Sequence, residues 1–442
     1  MASWLNSIFQ RWPNIGNIAR MKKEESVLII GGGASGLMAA TLLAGKMKVT
    51  VLEAKPQTGG RIHSLLQKGT AIEAGAEFIH GKLPLTLSLL ASAGIKYAPA
   101  KGKMYHFRDG SFVIENEMAE GWDKLLGDMK TSAPDMALET FFETFYATPD
   151  NAALRKEVTG YAEGFDLADI TKASVKSLYA EWNAGDGENF RIPEGYSSLI
   201  QFLENKAIAL GVKIITSKVI RQVDWHANDV TALTMTGEQF KANKLLVTVP
   251  VSVLATTMAA ASINFTPGID SYQKAAGQIG YGSVIKIILE FNNRFWPKDA
   301  GFIISDELFR TWWTQLPDTS AVLTGWLGGP NATTLTNVND DIILNKALQS
   351  LAAIFSLPII KLQEMLVGSF VFNWQQDPFS LGGYSYDTVE SAAAKKLLNR
   401  PLDNTLFFAG EALYTGAHNA TVEAALQSGE AAAQKILSNL VS

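Results

Sequence analysis

The chain has 442 residues, with 38 basic against 43 acidic side chains, a formal charge of −5 and no cysteine. A single core stops growing near about 250–300 residues, so this length implies two domains. The weak acidity and lack of a basic run exclude nucleic acid as the main partner, and the missing cysteines exclude disulfides, thiolate metal sites and cysteine nucleophiles.

Residues 1–25 read as an N-terminal extension. Trp4, Leu5, Ile8, Phe9, Trp12 and Ile15 recur at helical spacing around Arg11, with Pro13 interrupting the pattern. A segment folded back on the body is the expectation here. It lacks the continuous apolar core of a secretory signal, and a membrane-surface role is the weaker alternative.

The apolar run 27–30 predicts a buried strand, followed by Gly31, Gly33 and Gly36 in GxGxxG spacing at the start of an apolar helix pattern. This arrangement suits a dinucleotide. The first glycine permits the tight turn, the second lets backbone approach the pyrophosphate, and the third lets helix pack on strand, while the helix N-terminus offers N–H donors to the anion. A second strand, 49–52, ends at Glu53, at the spacing of about 20 residues where a carboxylate meets an unphosphorylated ribose. GGRI follows at 59–62.

Further on, 86–90 and 122–147 show helical periodicity, and 191–225 reads as loop, helix, strand and strand. Residues 245–250 form a buried strand ending in proline. In 283–291, SVIKIILEF, Lys286 interrupts an apolar strand on the face shared by Val284 and Ile288. A lysine is rarely buried without reason, and desolvation would disfavour its charged form, which suits a proton-accepting or water-orienting role. Residues 405–411 read as a strand stopped by glycine, and 420–437 as an amphipathic helix. Glu163, Asp166 and Asp169 are taken as a solvated helix face rather than a cationic entrance. His63, His80, His106, His226 and His418 show no ligand spacing, which argues against a metal, and no apolar run reaches the roughly 18 residues of a membrane span.

With GGRI at 59–62, EAGAEFIHG at 73–81, GSVIK at 282–286, FVFNWQQDPFSLGGYSY at 370–386 and FFAGEALYTGAHNATVEAALQSGEAAA at 407–433, the chain resembles the FAD-containing amine oxidase family, of monoamine and polyamine oxidase type. The resemblance implies an α/β fold in which a Rossmann-like, GR2-type FAD-binding domain (26–83, 195–275 and 377–442) is interleaved with a substrate domain of mixed sheet and helices (84–194 and 276–376). It implies noncovalent FAD held by Gly31, Gly33, Ala34, Ser35, Gly36, Glu53, Ala54, Gly60, Arg61, Gly75, Ala76, Glu77, Phe78, Val219, Trp374, Gly410, Glu411, Thr421, Val422 and Ala425, with Arg61 near the pyrophosphate. Lys286 would hold a water against flavin N5, Trp374 and Tyr384 would line the amine channel, and His80 would meet the substrate amine.

Two departures from the family pattern narrow this picture. Gly383 stands where mitochondrial monoamine oxidases bond the flavin through cysteine, and Thr421 stands where they place a second cage tyrosine, so the two-tyrosine cage is incomplete. The implied reaction is oxidation of a small-molecule amine to an imine by hydride transfer to the flavin, with O2 as acceptor and hydrogen peroxide released. An L-amino-acid oxidase, a membrane-associated desaturase of the same fold and a non-catalytic flavin protein remain alternatives. A cytoplasmic location and a homodimer are the further expectations.

Overall fold

The computed structural model describes residues 25–67, 70–114, 120–184, 187–257 and 260–439, so the amphipathic pattern around Trp4–Ile15 lies outside the described residues. Its centre is a five-stranded parallel sheet in the order Lys213–Ile215, Lys48–Leu52, Ser26–Ile30, Lys244–Val247 and Leu406–Phe408. Strands buried on both faces must be apolar throughout, which is why VLII and LLV carry no polar alternation. Helices Ala34–Leu43 and Val422–Ser438 pack together over one face around Ala39, Leu43, Ala432 and Ala433. The other face carries a four-stranded sheet, Gln239–Ala242, Asp229–Thr234, Ile220–His226 and Asn264–Thr266, whose Val223, Trp225, Val230 and Ala232 share one core with Leu245 and Leu406.

A seven-stranded sheet lies against this unit, in the order Leu366–Asn373, Val284–Phe291, Val322–Gly328, Thr311–Thr314, Ala300–Ile304, Lys103–Arg108 and Ser111–Ile114. The period of two sorts its central strand. Ile285, Ile287 and Leu289 point into a core with Leu348 and Leu351 of helix Asp340–Phe355, and Val284, Lys286 and Ile288 point the other way. Four helices, Trp122–Thr131, Leu138–Phe145, Ala152–Gly164 and Val175–Ala184, make a separate apolar cluster beside it.

Among the described residues no single helix is long and apolar enough to cross a membrane. The pair Asp340–Phe355 and Ile359–Met365 passes only when joined across a 112° bend, and its apolar side is spent on the sheet core. Two expected boundaries move. Strand 245–250 ends at Val247, because Pro250 instead precedes the short helix Val251–Ala255, and the last helix begins at Val422, because Ala420 takes φ +60° and Thr421 becomes its N-cap.

Candidate active site

The turn after Ser26–Ile30 shows why glycine is needed there. Gly31 has φ +111°, and a Cβ on Gly36 would stand 2.0 Å from the Gly31 carbonyl oxygen, so helix and strand can approach only without side chains. Helix Ala34–Leu43 has Gly33 as N-cap with no side-chain cap, leaving its first N–H groups for a ligand. Ser35 Oγ is buried without a partner. At the end of the next strand, Glu53 Oε2 accepts the Gly32 N–H at 2.7 Å and Oε1 the Lys55 N–H at 2.8 Å. Burial raises the Glu53 carboxyl above its ordinary value against the pull of these backbone donors. The two bonds fix the carboxylate at the mouth of the glycine turn.

Arg61 does not simply lie near this turn. Its guanidinium reaches across to Glu411 Oε1 at 2.8 Å and to the Gly383 carbonyl at 2.8 Å, and Ser385 Oγ donates to Glu411 Oε2 at 2.6 Å. The two motifs GGRI and GE, about 350 residues apart in sequence, are therefore one ion-paired unit.

Every sequence-predicted site residue except Gly36, which sits behind the turn, lines one cavity of about 580 Å³ that runs from the glycine turn to the seven-stranded sheet. Lys286 is fully buried in its wall. The sequence reading missed its partner: Lys286 Nζ donates to Glu77 Oε2 at 2.7 Å and to the Gly75 carbonyl at 3.1 Å, and lies 5.3 Å from the Trp313 ring centre. A lone desolvated lysine is thus corrected to a member of an ion pair. Glu77 Oε1 in turn takes Arg191 at 3.0 Å and the Trp313 indole N–H at 2.9 Å. Burial pushes the Glu77 carboxyl up, but Lys286, Arg191 and the hydrogen bonds outweigh it and leave it below its ordinary value. Two cations around one carboxylate give this wall a net positive charge.

Aromatic rings form the remaining wall. Tyr384 stacks against Trp326 with centroids 6.4 Å apart and planes 23° apart, and its hydroxyl donates to the Phe165 carbonyl. Trp326, the register neighbour of Lys286, donates to the Gly164 carbonyl at 2.7 Å and continues to Trp313, Phe302 and Phe78. Trp374 packs with Val284 and Leu167, and its indole N–H goes to the Ala74 carbonyl at 3.0 Å. His80 faces the cavity with Nδ1 2.8 Å from Asn189 Oδ1 and its ring edge-on to Phe165. Burial, only partly offset by Asn189, holds the imidazole below its ordinary value, so it is neutral at neutral pH. With Asn189 accepting from Nδ1, Nε2 is left as an acceptor.

Comparison with known proteins agrees with this arrangement. The family described as flavin containing amine oxidoreductase matches residues 34–437. The chain belongs to that family. Human lysine-specific histone demethylase 2 is 28% identical over 93% of this chain and 53% of its own length, so the chain spans about half of the first curated relatives it matches. Polyamine oxidase 2 of Arabidopsis thaliana is 27% identical over 89% of this chain and 84% of its own. Putrescine oxidase bound to putrescine shares the fold at a TM-score of 0.78 and 19% identity, covering 94% of this chain and 99% of that one. Cyclohexylamine oxidase from Brevibacterium oxydans does so at 0.76 and 18%, covering 95% and 100%.

The family's cofactor is a flavin, FAD, and the residues present fit it. The uncapped helix start and the orphaned Ser35 hydroxyl supply donors for a diphosphate, Glu53 lies at ribose distance along the motif, and Gly33 is open on its cavity side. A Cβ on Gly383 would meet Leu167 and Val284 at 2.7 Å, so this position leaves no room for a flavin-bonding side chain. Thr421 has a job unlike that of a cage tyrosine: its hydroxyl accepts the Ala424 N–H at 3.1 Å and caps the helix whose first residues line the cavity.

One acid assigned to a solvated face is buried. Asp166 is 4% exposed, and Glu181, absent from the sequence reading, lines the cavity beside it, whereas Asp169 pairs with Lys172 at 2.8 Å at the surface. Glu77, Arg191, Trp313 and Trp326 were also unsingled as a cluster by the sequence. The usable signal was Glu77 inside EAGAEFIHG, an acid in an otherwise small and apolar stretch.

Proposed function

We propose that the chain oxidises a small aliphatic or aromatic amine to the imine, which water then hydrolyses. The observation that carries this reading is the single cavity in which the glycine turn and the Arg61–Glu411 pair lie at one end and Lys286, Trp374 and Tyr384 at the other. FAD, when bound, supplies the two-electron acceptor for the hydride leaving the amine α-carbon and is regenerated by dioxygen with release of hydrogen peroxide. The protein's share is orientation and electrostatics.

The stacked Tyr384 and Trp326 faces flank the approach and exclude water from a planar slot. A cation crossing such faces gains about 0.5–2 kcal/mol, but the positive Lys286–Glu77–Arg191 wall opposes an ammonium at the reacting position, so the amine that reaches it is neutral. His80, neutral and with Nε2 free to accept, takes the N–H of that amine. Lys286, held by Glu77 and Gly75, keeps a third N–H for a water at the flavin. The segments that feed the parallel sheet (26–83, 195–275 and 377–442) hold the cofactor, and those that feed the seven-stranded sheet and its helices (84–194 and 276–376) shape the amine site.

The test is anaerobic rapid mixing of the oxidised holoenzyme with monoamines, polyamines and amino acids, joined to a peroxide-release screen in air. Bleaching of the flavin absorbance by an amine, followed by peroxide release, is the expected result. A flavin that no member of the panel bleaches would leave only a binding protein.

A further inference from the structure

At its half-exposed end the cavity runs between helix Ala152–Gly164, which supplies Glu157, Gly160 and Tyr161, and the seven-stranded sheet, which supplies His106, Ile304 and Thr311. Two ion pairs join helix to sheet there. Arg108 Nη2 lies 3.0 Å from Glu157 Oε2, and Lys156 Nζ lies 2.7 Å from Asp306 Oδ2, in the turn between two of the strands. Arg310, just before strand Thr311–Thr314, is a third cation in the same place and also lines the cavity. Its guanidinium makes one hydrogen bond among the described residues, from Nη2 to Asp306 Oδ1 at 3.5 Å, and that carboxylate already holds Lys156. Three cations thus share two carboxylates. Glu163 also feels Arg310, but burial outweighs that pull and leaves its carboxyl above its ordinary value.

A glycine makes the seat of this guanidinium. A Cβ on Gly160 would stand 2.1 Å from Arg310 Nη1 and 2.4 Å from its Cζ, so the group lies against the helix backbone in space that any other residue would fill. Most of its N–H donors remain for a ligand, and their fork matches a carboxylate. The register of Lys286, Trp326 and Thr311 across three strands puts Arg310 beside a residue two strands from Lys286, about 10 Å along the sheet. Toward His80 stand the rings of Tyr161 and Phe165, stacked 5.3 Å apart, with Phe165 5.5 Å from the imidazole. A carboxylate on the reacting carbon would stop short of Arg310, whereas one at the far end of an aliphatic chain would reach it. Of the acids on this side of the cavity, Glu77 and Glu157 are paired and burial holds Glu181 well above its ordinary value, so both ends of the space are positive.

We propose that Arg310 binds the carboxylate of an ω-amino acid, whose neutral amino end lies at His80 and whose methylene chain runs past Phe165 and Tyr161. This deepens the amine-oxidation reading and rests on it. The two positive ends set the direction of the substrate: the anion goes to Arg310, which has no full partner, and the uncharged amine goes to the Lys286 wall, where the cations already hold Glu77.

Binding of ω-amino acids of increasing chain length, and of n-alkylamines of equal length, to the oxidised holoenzyme by titration calorimetry without oxygen tests this. At the chain length that spans the two ends, the wild type binds the amino acid at least about tenfold tighter than the matching alkylamine, the worth of one charge-assisted hydrogen bond. In Arg310→Met the ratio of the two affinities falls to about one, and in Arg310→Lys, which keeps the charge but not the fork, it falls part of the way. Should Arg310→Met not fold, Gly160→Ala decides, because its methyl group displaces the guanidinium while leaving the charge in the chain, and the ratio falls there too. Equal affinities at every length in the wild type, an Arg310→Met variant that weakens both ligands alike, or an undiminished ratio in the deciding variant overturns the proposal. Flavin bleaching by the same ligands separates the two claims. A binding preference without bleaching keeps the carboxylate site and removes oxidation, and bleaching by the alkylamines without a preference removes the carboxylate site alone.

Discussion

On one side of the cavity two cations, Lys286 and Arg191, share one carboxylate, Glu77; on another, the acids Asp166 and Glu181 lie beside Asp387, which is bound to Lys395. Both clusters are buried, so in each the cost of desolvation is large, and what differs is how it is met. At Glu77 the opposite charges outweigh burial and the carboxyl stays ionised below its ordinary value. At Asp166 and Glu181 the charges present have the same sign, burial wins, and a proton is retained. The same side chain type is thus a fixed anion in one wall and a proton carrier in the other, and only its neighbours decide which.

The sharpest way to break this contrast is to neutralise one acid in each cluster. Glu77→Gln leaves Lys286 and Arg191 buried against each other without their anion, and a loss of about 3–5 kcal/mol is expected in denaturant unfolding. Glu181→Gln removes a like charge instead, so its stability at pH 8 should equal or exceed that of the wild type. If both variants lose stability alike, the two clusters are not electrostatic opposites. Adding Lys286→Met to Glu77→Gln should recover part of the first loss, since the uncompensated cation goes with it.

Lys286→Met alone tests chemistry rather than folding. Its expected effect is a slowing of flavin reduction or reoxidation by about a hundredfold, the scale of one preorganised charged donor, with FAD still bound because the cradle residues are untouched. Unchanged rates in both half-reactions, measured by stopped flow, would remove Lys286 from the mechanism.

The pH dependence of stability should show the retained protons. Glu73, buried and bonded to the Tyr196 N–H at 2.6 Å, is raised from 4.5 to about 7, and Asp166 from 3.8 to about 7, in both cases chiefly by burial. The folded state therefore binds more protons than the unfolded chain between pH about 4 and 7, and stability falls as pH rises through that window, by about 3–4 kcal/mol per group at most, then levels. Glu73→Gln and Asp166→Asn should each flatten the fall, as read from urea unfolding at pH 5 and pH 8. A profile that rises across this window would contradict the assignment of both protons.

What the sequence made legible follows from range. The glycine turn, its strands and Glu53 are contiguous, and their backbone demands write themselves locally: Gly31 must take φ +111° and Gly36 must leave room for the Gly31 carbonyl. Lys286 stood out because a charge in an apolar strand breaks a period of two. Its pairing did not, because Glu77, singled out only as a cofactor contact, lies 209 residues away and no local pattern binds one to the other. The Arg61–Glu411 pair was hidden in the same way, both residues again being singled out but not joined. Asp166 was misplaced for a related reason. It follows helix Ala152–Gly164 amid other acids, and only packing against Trp182 and Glu181 buries it.

The smallest expected effect lies at the start of the C-terminal helix. Thr421 accepts the Ala424 N–H and donates to the His418 carbonyl at 2.7 Å, so Thr421→Ala removes a cap worth about 1 kcal/mol and should lower the unfolding free energy by that amount. Thr421→Ser, which keeps the hydroxyl, should restore it. Thr421→Tyr loses the cap as well, yet places a ring at the cavity wall, so its stability should follow the alanine variant while its amine preference shifts toward aromatic monoamines. If the tyrosine variant is as stable as the wild type, capping is not what holds threonine at this position. The helix end would then be satisfied by other groups, and its N–H donors would be less available to the cofactor than their place in the cavity wall implies.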